Sequence, residues 1–162
     1  MKKKTYLIFL FILLVLFNGC SGYKPIFIST NIDFAIGNYS IQGNKLLGNK
    51  IYSQLYILSL SNKKNQNKRS IDLLIDSSKH KVALVKNSAG KILSYKITLN
   101  TKIEVNDYLT DKKILHKIFT SSLTYKTQNQ YSETIELEKK AINSLIEKTY
   151  QDLLISLTQK FL

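Results

Sequence analysis

The chain has no tryptophan, one cysteine, one proline and six glycines in 162 residues. A lone thiol excludes an internal disulfide and any thiolate metal cluster. The glycines are scattered, so no glycine-rich loop is available to cradle a phosphate chain. The only proline, Pro25, lies near the start and leaves the body without a helix breaker. Acidic residues are also few: 11 Asp and Glu stand against 24 Lys and Arg, a formal charge of +13.

Groups that could carry chemistry are equally sparse. The two histidines, His80 and His116, fall in different predicted strands, with no cysteine nearby and no His-x-x-x-His pair, so no metal centre is expected. His116 alternates with Ile114 and Ile118 and reads as a partly buried strand residue. Asp72 and Asp76 share a strand face at a separation of roughly 13 Å. That is too far for two carboxylates to act on one bond. No Gly-x-Ser-x-Gly elbow is present. The expectation is a protein that is not an enzyme and uses no cofactor, although a dispersed Ser/His/Asp triad stays open as a hydrolase reading.

The strongest positive feature is the N-terminus. Lys2, Lys3 and Lys4 precede an apolar run at 6–17, and Asn18-Gly19-Cys20 follows. A positive end, an apolar middle and a small residue before a cysteine form the layout of a bacterial lipoprotein export signal. The run covers about a dozen residues, short of the roughly 20 that cross a bilayer as a helix. A plain secretory signal and a retained anchor are the alternatives, since Phe17 and Asn18 depart from the usual cleavage box. Residues 1–19 are read as the signal peptide, and Cys20 as the lipid attachment site carrying fatty-acyl chains such as palmitate. At ~0.8 kcal/mol per buried CH₂, several such chains hold a protein on a membrane permanently. Ser21 stands where inner-membrane lipoproteins typically carry Asp, which favours the outer membrane.

Residues 20–33 read as a lipidated tether, and 34–162 as a single domain too short to divide. Without the three signal lysines the formal charge falls from +13 to +10. Such a surface suits anionic partners. Export rules out nucleic acid and leaves acidic lipid head groups or phosphorylated glycans. A codon bias towards Lys, Asn and Ile would produce the same excess with no ligand at all.

Periodicity gives the order β-α-β-β-β-α. A strand at 34–41 ends at Gly43, and Asn44 can cap a helix whose stripe is Leu47, Ile51, Leu55 and Leu58. From Arg69 the period is two: Ile71, Leu73 and Ile75, a break at 77–81, then Val82 and Leu84. A turn at 87–90, with Gly90 suited to positive φ, leads to the clearest strand, with Tyr95, Ile97, Leu99, Thr101, Ile103 and Val105 on one face. Residues 110–112 turn into a fourth strand at about 114–125. Ser132 is the expected cap of a closing helix with Ile135, Ile142, Leu145, Ile146, Leu153, Leu157 and Phe161 along one stripe. The predicted class is α+β: a four-stranded mixed sheet with an antiparallel meander, packed on one face by two helices. Lys79, Lys81, Lys86, Lys91 and Lys126 gather around one end of it, where lysine either guards strand edges or pairs with phosphate.

The opening Cys20-Ser21-Gly22-Tyr23-Lys24-Pro25-Ile26-Phe27 resembles the Cys-Gly-aromatic-x-Pro-Leu start of the LPS-assembly lipoprotein (LptE) family. The helix stripe Leu47, Ile51, Leu55, the strand segment 94–99 and the closing segment 125–161, with Ala141 and Leu145, are similar to its later parts. Ser21 is an insertion, and lysine stands where the family often carries arginine. The resemblance implies an outer-membrane lipoprotein on the periplasmic side that plugs the β-barrel protein LptD and helps it assemble. It also implies that the protein binds lipopolysaccharide for delivery to the outer leaflet, without catalysis or cofactor. It places a ligand-binding cation at Lys86, at the tip of the hairpin between the second and third strands, another near Lys126, and Lys91 beside them. An auxiliary lipoprotein of an ABC-type lipid transport system is the competing function.

Overall fold

The computed structural model describes residues 33–61 and 68–161; the segment read as a signal peptide, Cys20 and nearly all of the expected tether lie outside the described residues. The order is β1 (Phe34–Gly43), α1 (Lys45–Ser61), β2 (Arg69–Lys86), β3 (Ile92–Asp107), β4 (Lys113–Lys126) and α2 (Tyr131–Phe161). The strands lie in sequence order in one sheet. β1 runs parallel to β2, as a strand-helix-strand unit requires, while β2, β3 and β4 form an antiparallel meander.

Strict alternation on β3 explains the layering. Ile97, Leu99, Thr101, Ile103 and Val105 are buried on one face, and Ile71, Leu73 and Ile75 of β2 lie on the same side. Against that face pack Leu47, Ile51 and Leu55 of α1 and Leu145, Leu153 and Leu157 of α2, in one continuous core. Burying each such side chain contributes about 1.5–3 kcal/mol relative to leaving it in water. The opposite face carries Lys102, Glu104, Asp76 and His116 and has no layer of described residues over it.

Local chemistry fixes the corners. Gly43 has φ +66°, and a Cβ there would lie 2.3 Å from the Ser77 carbonyl oxygen, so glycine alone fits the exit from β1. Asn44 caps α1, its side-chain oxygen accepting from the Leu47 amide at 3.3 Å. Gly90 has φ +79° in the β2–β3 turn, where Asn87 closes the loop by accepting from the Gly90 and Lys91 amides.

The structure departs from the sequence reading in three places. β2 has no break at 77–81: Ser77 to Lys81 pair continuously with Thr101 to Ile97. The apolar pattern shifts from odd to even positions because the core ends, and backbone pairing continues without burial. Val82 and Leu84 are exposed, and the register slips only near Ala83 and Val85. α2 starts at Tyr131, so Ser132 lies inside its first turn and is not the cap. The Thr134 hydroxyl instead accepts from the Gln128 amide and donates to the Gln130 carbonyl, fastening the loop before the helix. His116 is exposed on the open face, with Nδ1 3.3 Å from Glu104, because the helices cover only the other side.

The β3–β4 turn depends on Asp107. Its carboxylate accepts from Arg69 Nε at 2.6 Å, from the Leu109 and Thr110 amides at 3.1 and 2.9 Å, and from the Thr110 hydroxyl. The Arg69 bond first, then the Thr110 bonds, hold its pKa down at about 2 from 3.8. A depressed carboxylate contributes stability that is complete above its unfolded value and lost as pH falls through the folded one. Urea unfolding of the wild type should therefore show a loss of stability between pH 3.8 and about 2 that Asp107→Asn lacks. Equal acid sensitivity in both proteins would remove Asp107 from this role.

Candidate functional site

Past the core, β2, β3 and β4 run on towards the start of α2. The segment 77–101 contains Lys79, Lys81, Lys86, Lys91 and Lys96 and no Asp or Glu, and 118–132 adds Lys126 with no acid. This end of the sheet is cationic by sequence and is gathered by the antiparallel register. Lys86 pairs with Ile92, and Lys126 pairs with Ser94. Lys91 sits in the turn between β2 and β3.

One acid approaches these cations, and it comes from α2. Glu138 accepts from Lys81 Nζ at 2.5 Å and from the Tyr125 hydroxyl at 3.0 Å, and lies 3.6 Å from Lys79 Nζ. The Lys81 ammonium also lies 4.3 Å from the centre of the Tyr95 ring and 5.8 Å from that of Tyr125, two rings that stack at 5.8 Å. Burial opposes the charge on Lys81, yet the Glu138 and Tyr125 bonds outweigh it and raise its pKa. Burial likewise works against ionised Glu138, and Lys81 and Tyr125 overcome it, so its pKa falls. The Tyr125 hydroxyl is pushed up, chiefly by burial.

Lys79 and Lys81 are therefore structural cations. Lys86, Lys91 and Lys126 are exposed and have no acidic partner among the described residues. The three share one end of the sheet, but only Lys91 lines its groove. That groove, about 450 Å³, opens between the strand ends and the first turn of α2. Its walls include Lys81, Lys91, Tyr95, Gln128, Asn129 and Tyr131, the last 79% exposed. It is held open by Thr127, whose amide donates to the Leu93 carbonyl and whose hydroxyl donates to that of Ile92. Cations, amides and an exposed ring suit a phosphorylated or polyhydroxylated ligand. A smaller hollow of about 220 Å³ on the open face has the opposite character, with Asp72 and Glu104 beside Asn38 and Asn106.

Sequence reasoning did not single out Tyr131, Gln128 or Asn129. The signal was available, since a polar loop ending in an aromatic residue joins the fourth strand to a helix that must return over the meander. It also missed a surface ladder beside β1, where the Tyr39 and Tyr52 rings stack at 4.0 Å and those of Tyr52 and Tyr56 at 5.8 Å. Burial, and then the neighbouring Tyr39 and Tyr56, raise the Tyr52 pKa.

No family model and no curated protein sequence matches the chain. Solved structures do share its fold. A lipoprotein B of Nitrosomonas europaea superposes with a TM-score of 0.57 at 9% identity, covering 84% of this chain and 88% of the other. A minor lipoprotein of Acinetobacter baumannii gives 0.55 at 15%, over 78% and 93%. The rare lipoprotein B of Shewanella oneidensis gives 0.50 at 14%, over 73% and 90%. The fold is thus one that bacterial lipoproteins adopt.

Glu138→Gln leaves the two structural lysines without a counter-charge. It should cost about 1–2 kcal/mol in urea unfolding, since the pair is half-buried. In NMR titration the Lys81 ammonium should drop back towards ordinary lysine behaviour; an unmoved titration would show that Glu138 does not hold it.

Proposed function

We propose that this chain is an outer-membrane lipoprotein of the LPS-assembly (LptE) type, acylated on Cys20 and held on the periplasmic side. In this reading it plugs an LptD-like β-barrel, supports that barrel's assembly and binds lipopolysaccharide on its way to the outer leaflet. It performs no catalysis and uses no cofactor. The fold shared with bacterial lipoproteins supports the lipoprotein part, as do the export signal and the resemblance of the segment after Cys20.

The observation that carries the ligand reading is the division among the lysines. Glu138 pairs with both Lys79 and Lys81, while Lys86, Lys91 and Lys126 have no acidic partner among the described residues, and Lys91 lines the groove beside Tyr131. Phosphates on a glycolipid would accept charge-assisted hydrogen bonds from these ammonium groups, and sugar rings would lie on the exposed tyrosine. Lysine makes point-charge contacts rather than the fork of arginine, so recognition would depend on several lysines acting together.

Two measurements test the proposal. Affinity capture from solubilised outer membranes, with the partner identified by mass, should recover a large β-barrel protein. Recovery of a soluble periplasmic shuttle instead would favour the auxiliary role in an ABC-type lipid transport system. For the ligand, Lys86→Glu combined with Lys91→Glu should weaken lipopolysaccharide binding by about tenfold with the fold intact, because both side chains are exposed. Unchanged affinity would exclude these lysines from the site.

A further inference from the structure

The far end of the β2–β3 hairpin exposes aliphatic side chains that the core does not use. Val82, Leu84 and Val85 on β2 are 55%, 54% and 47% exposed, and Leu93 on β3 is 41% exposed. Leu84 is the residue passed over where the register slips between Ala83 and Val85, so the strand carries it outside the regular pairing. Isolated exposed leucines are ordinary. Four aliphatic residues on one hairpin end, interspersed with lysines and without a single acid, form a different pattern.

Lys96 pairs directly across from Val82, Lys86 follows Val85, and Lys91 precedes Leu93 by two residues. None of these three lysines has an acidic partner among the described residues. We propose that this hairpin end is a membrane-interface element: it seats Val82, Leu84, Val85 and Leu93 at the acyl boundary of an anionic bilayer while Lys86, Lys91 and Lys96 meet the lipid phosphates. Lysine suits that position, because its apolar stem lies along hydrocarbon while its head stays with the phosphates. A protein partner is the weaker occupant. The hairpin between Val82 and Leu93 has no aromatic residue or arginine, the anchors that protein interfaces favour. The uncompensated positive charge is complementary to the phosphates of an anionic bilayer.

This proposal goes beyond the lipopolysaccharide reading: it concerns the chain on a membrane before any barrel encloses it, and vesicles that contain no lipopolysaccharide test it alone. The full mature chain with Cys20→Ser, which removes the acyl anchor, is sedimented with vesicles of phosphatidylethanolamine and phosphatidylglycerol, and with vesicles of phosphatidylcholine. Binding should appear with the anionic vesicles only and weaken as salt rises. Leu84→Asn with Val85→Asn should lower vesicle affinity about tenfold. Lys86→Gln should lower it about fivefold. Leu84→Asn alone, at an exposed position outside the regular pairing, keeps the aliphatic part testable if the double variant folds poorly. Vesicle binding that ignores the asparagine substitutions would overturn the proposal and leave only diffuse charge attraction. So would a chain that binds lipopolysaccharide yet ignores anionic vesicles.

Discussion

The backbone pairing of β3 along both of its edges is the constraint from which the rest of the molecule follows. From Ser94 to Asn106 it is paired with β2 on one side and β4 on the other. A side-chain period of two then fixes which residues of all three strands share a face. With Ile97, Leu99, Ile103 and Val105 committed to one side, both helices must cover that side. The other side is left to polar and charged side chains such as Asp76, Lys102, Glu104 and His116, with Lys102 2.7 Å from Glu104. A one-residue slip would exchange the two faces, so the hydrophobic term that stabilises the fold also selects the register.

The three strands are longer than the core they support. That excess length creates the cationic end and separates it from the packed body. α2 reaches across and supplies Glu138, which holds Lys79 and Lys81 against Tyr95 and Tyr125. The far end of α2 is tied down as well: the Phe161 ring lies 6.2 Å from that of Phe34, with the Arg69 guanidinium 5.7 Å from it. The long helix is thus fixed at both ends of the sheet, and its N-terminal turn forms one wall of the groove.

Much of this could be read in the residues themselves. The helix stripe Leu47, Ile51, Leu55 and the alternation from Ile97 to Val105 each report a single period, and the class and element order followed from them, while the order of the strands within the sheet did not. Gly43 and Gly90 were legible because their backbone angles need glycine. The 77–81 segment misled because burial and pairing end at different places: Ser77 is still buried, and Ser78 to Lys81 pair fully while their side chains leave the core. Ser132 misled because Thr134, two residues on, fastens the loop by a bond that spans six residues. The lysine cluster was visible as a cluster, but its division was not, since the acid that separates Lys81 from Lys91 lies 57 residues away in sequence from Lys81.

The stacked rings of Tyr39, Tyr52 and Tyr56 join the first strand to the first helix, a unit attached to the rest through β1–β2 pairing, the common core and the Lys50–Asn143 and Gln54–Glu147 hydrogen bonds. The chain has ten tyrosines and no tryptophan, so its aromatic absorption is a phenol signal almost alone. Rings held this close couple their electronic transitions, and the coupling vanishes when the strand and helix part. Near-ultraviolet dichroism is therefore a built-in optical gauge of whether the first helix remains docked on the first strand.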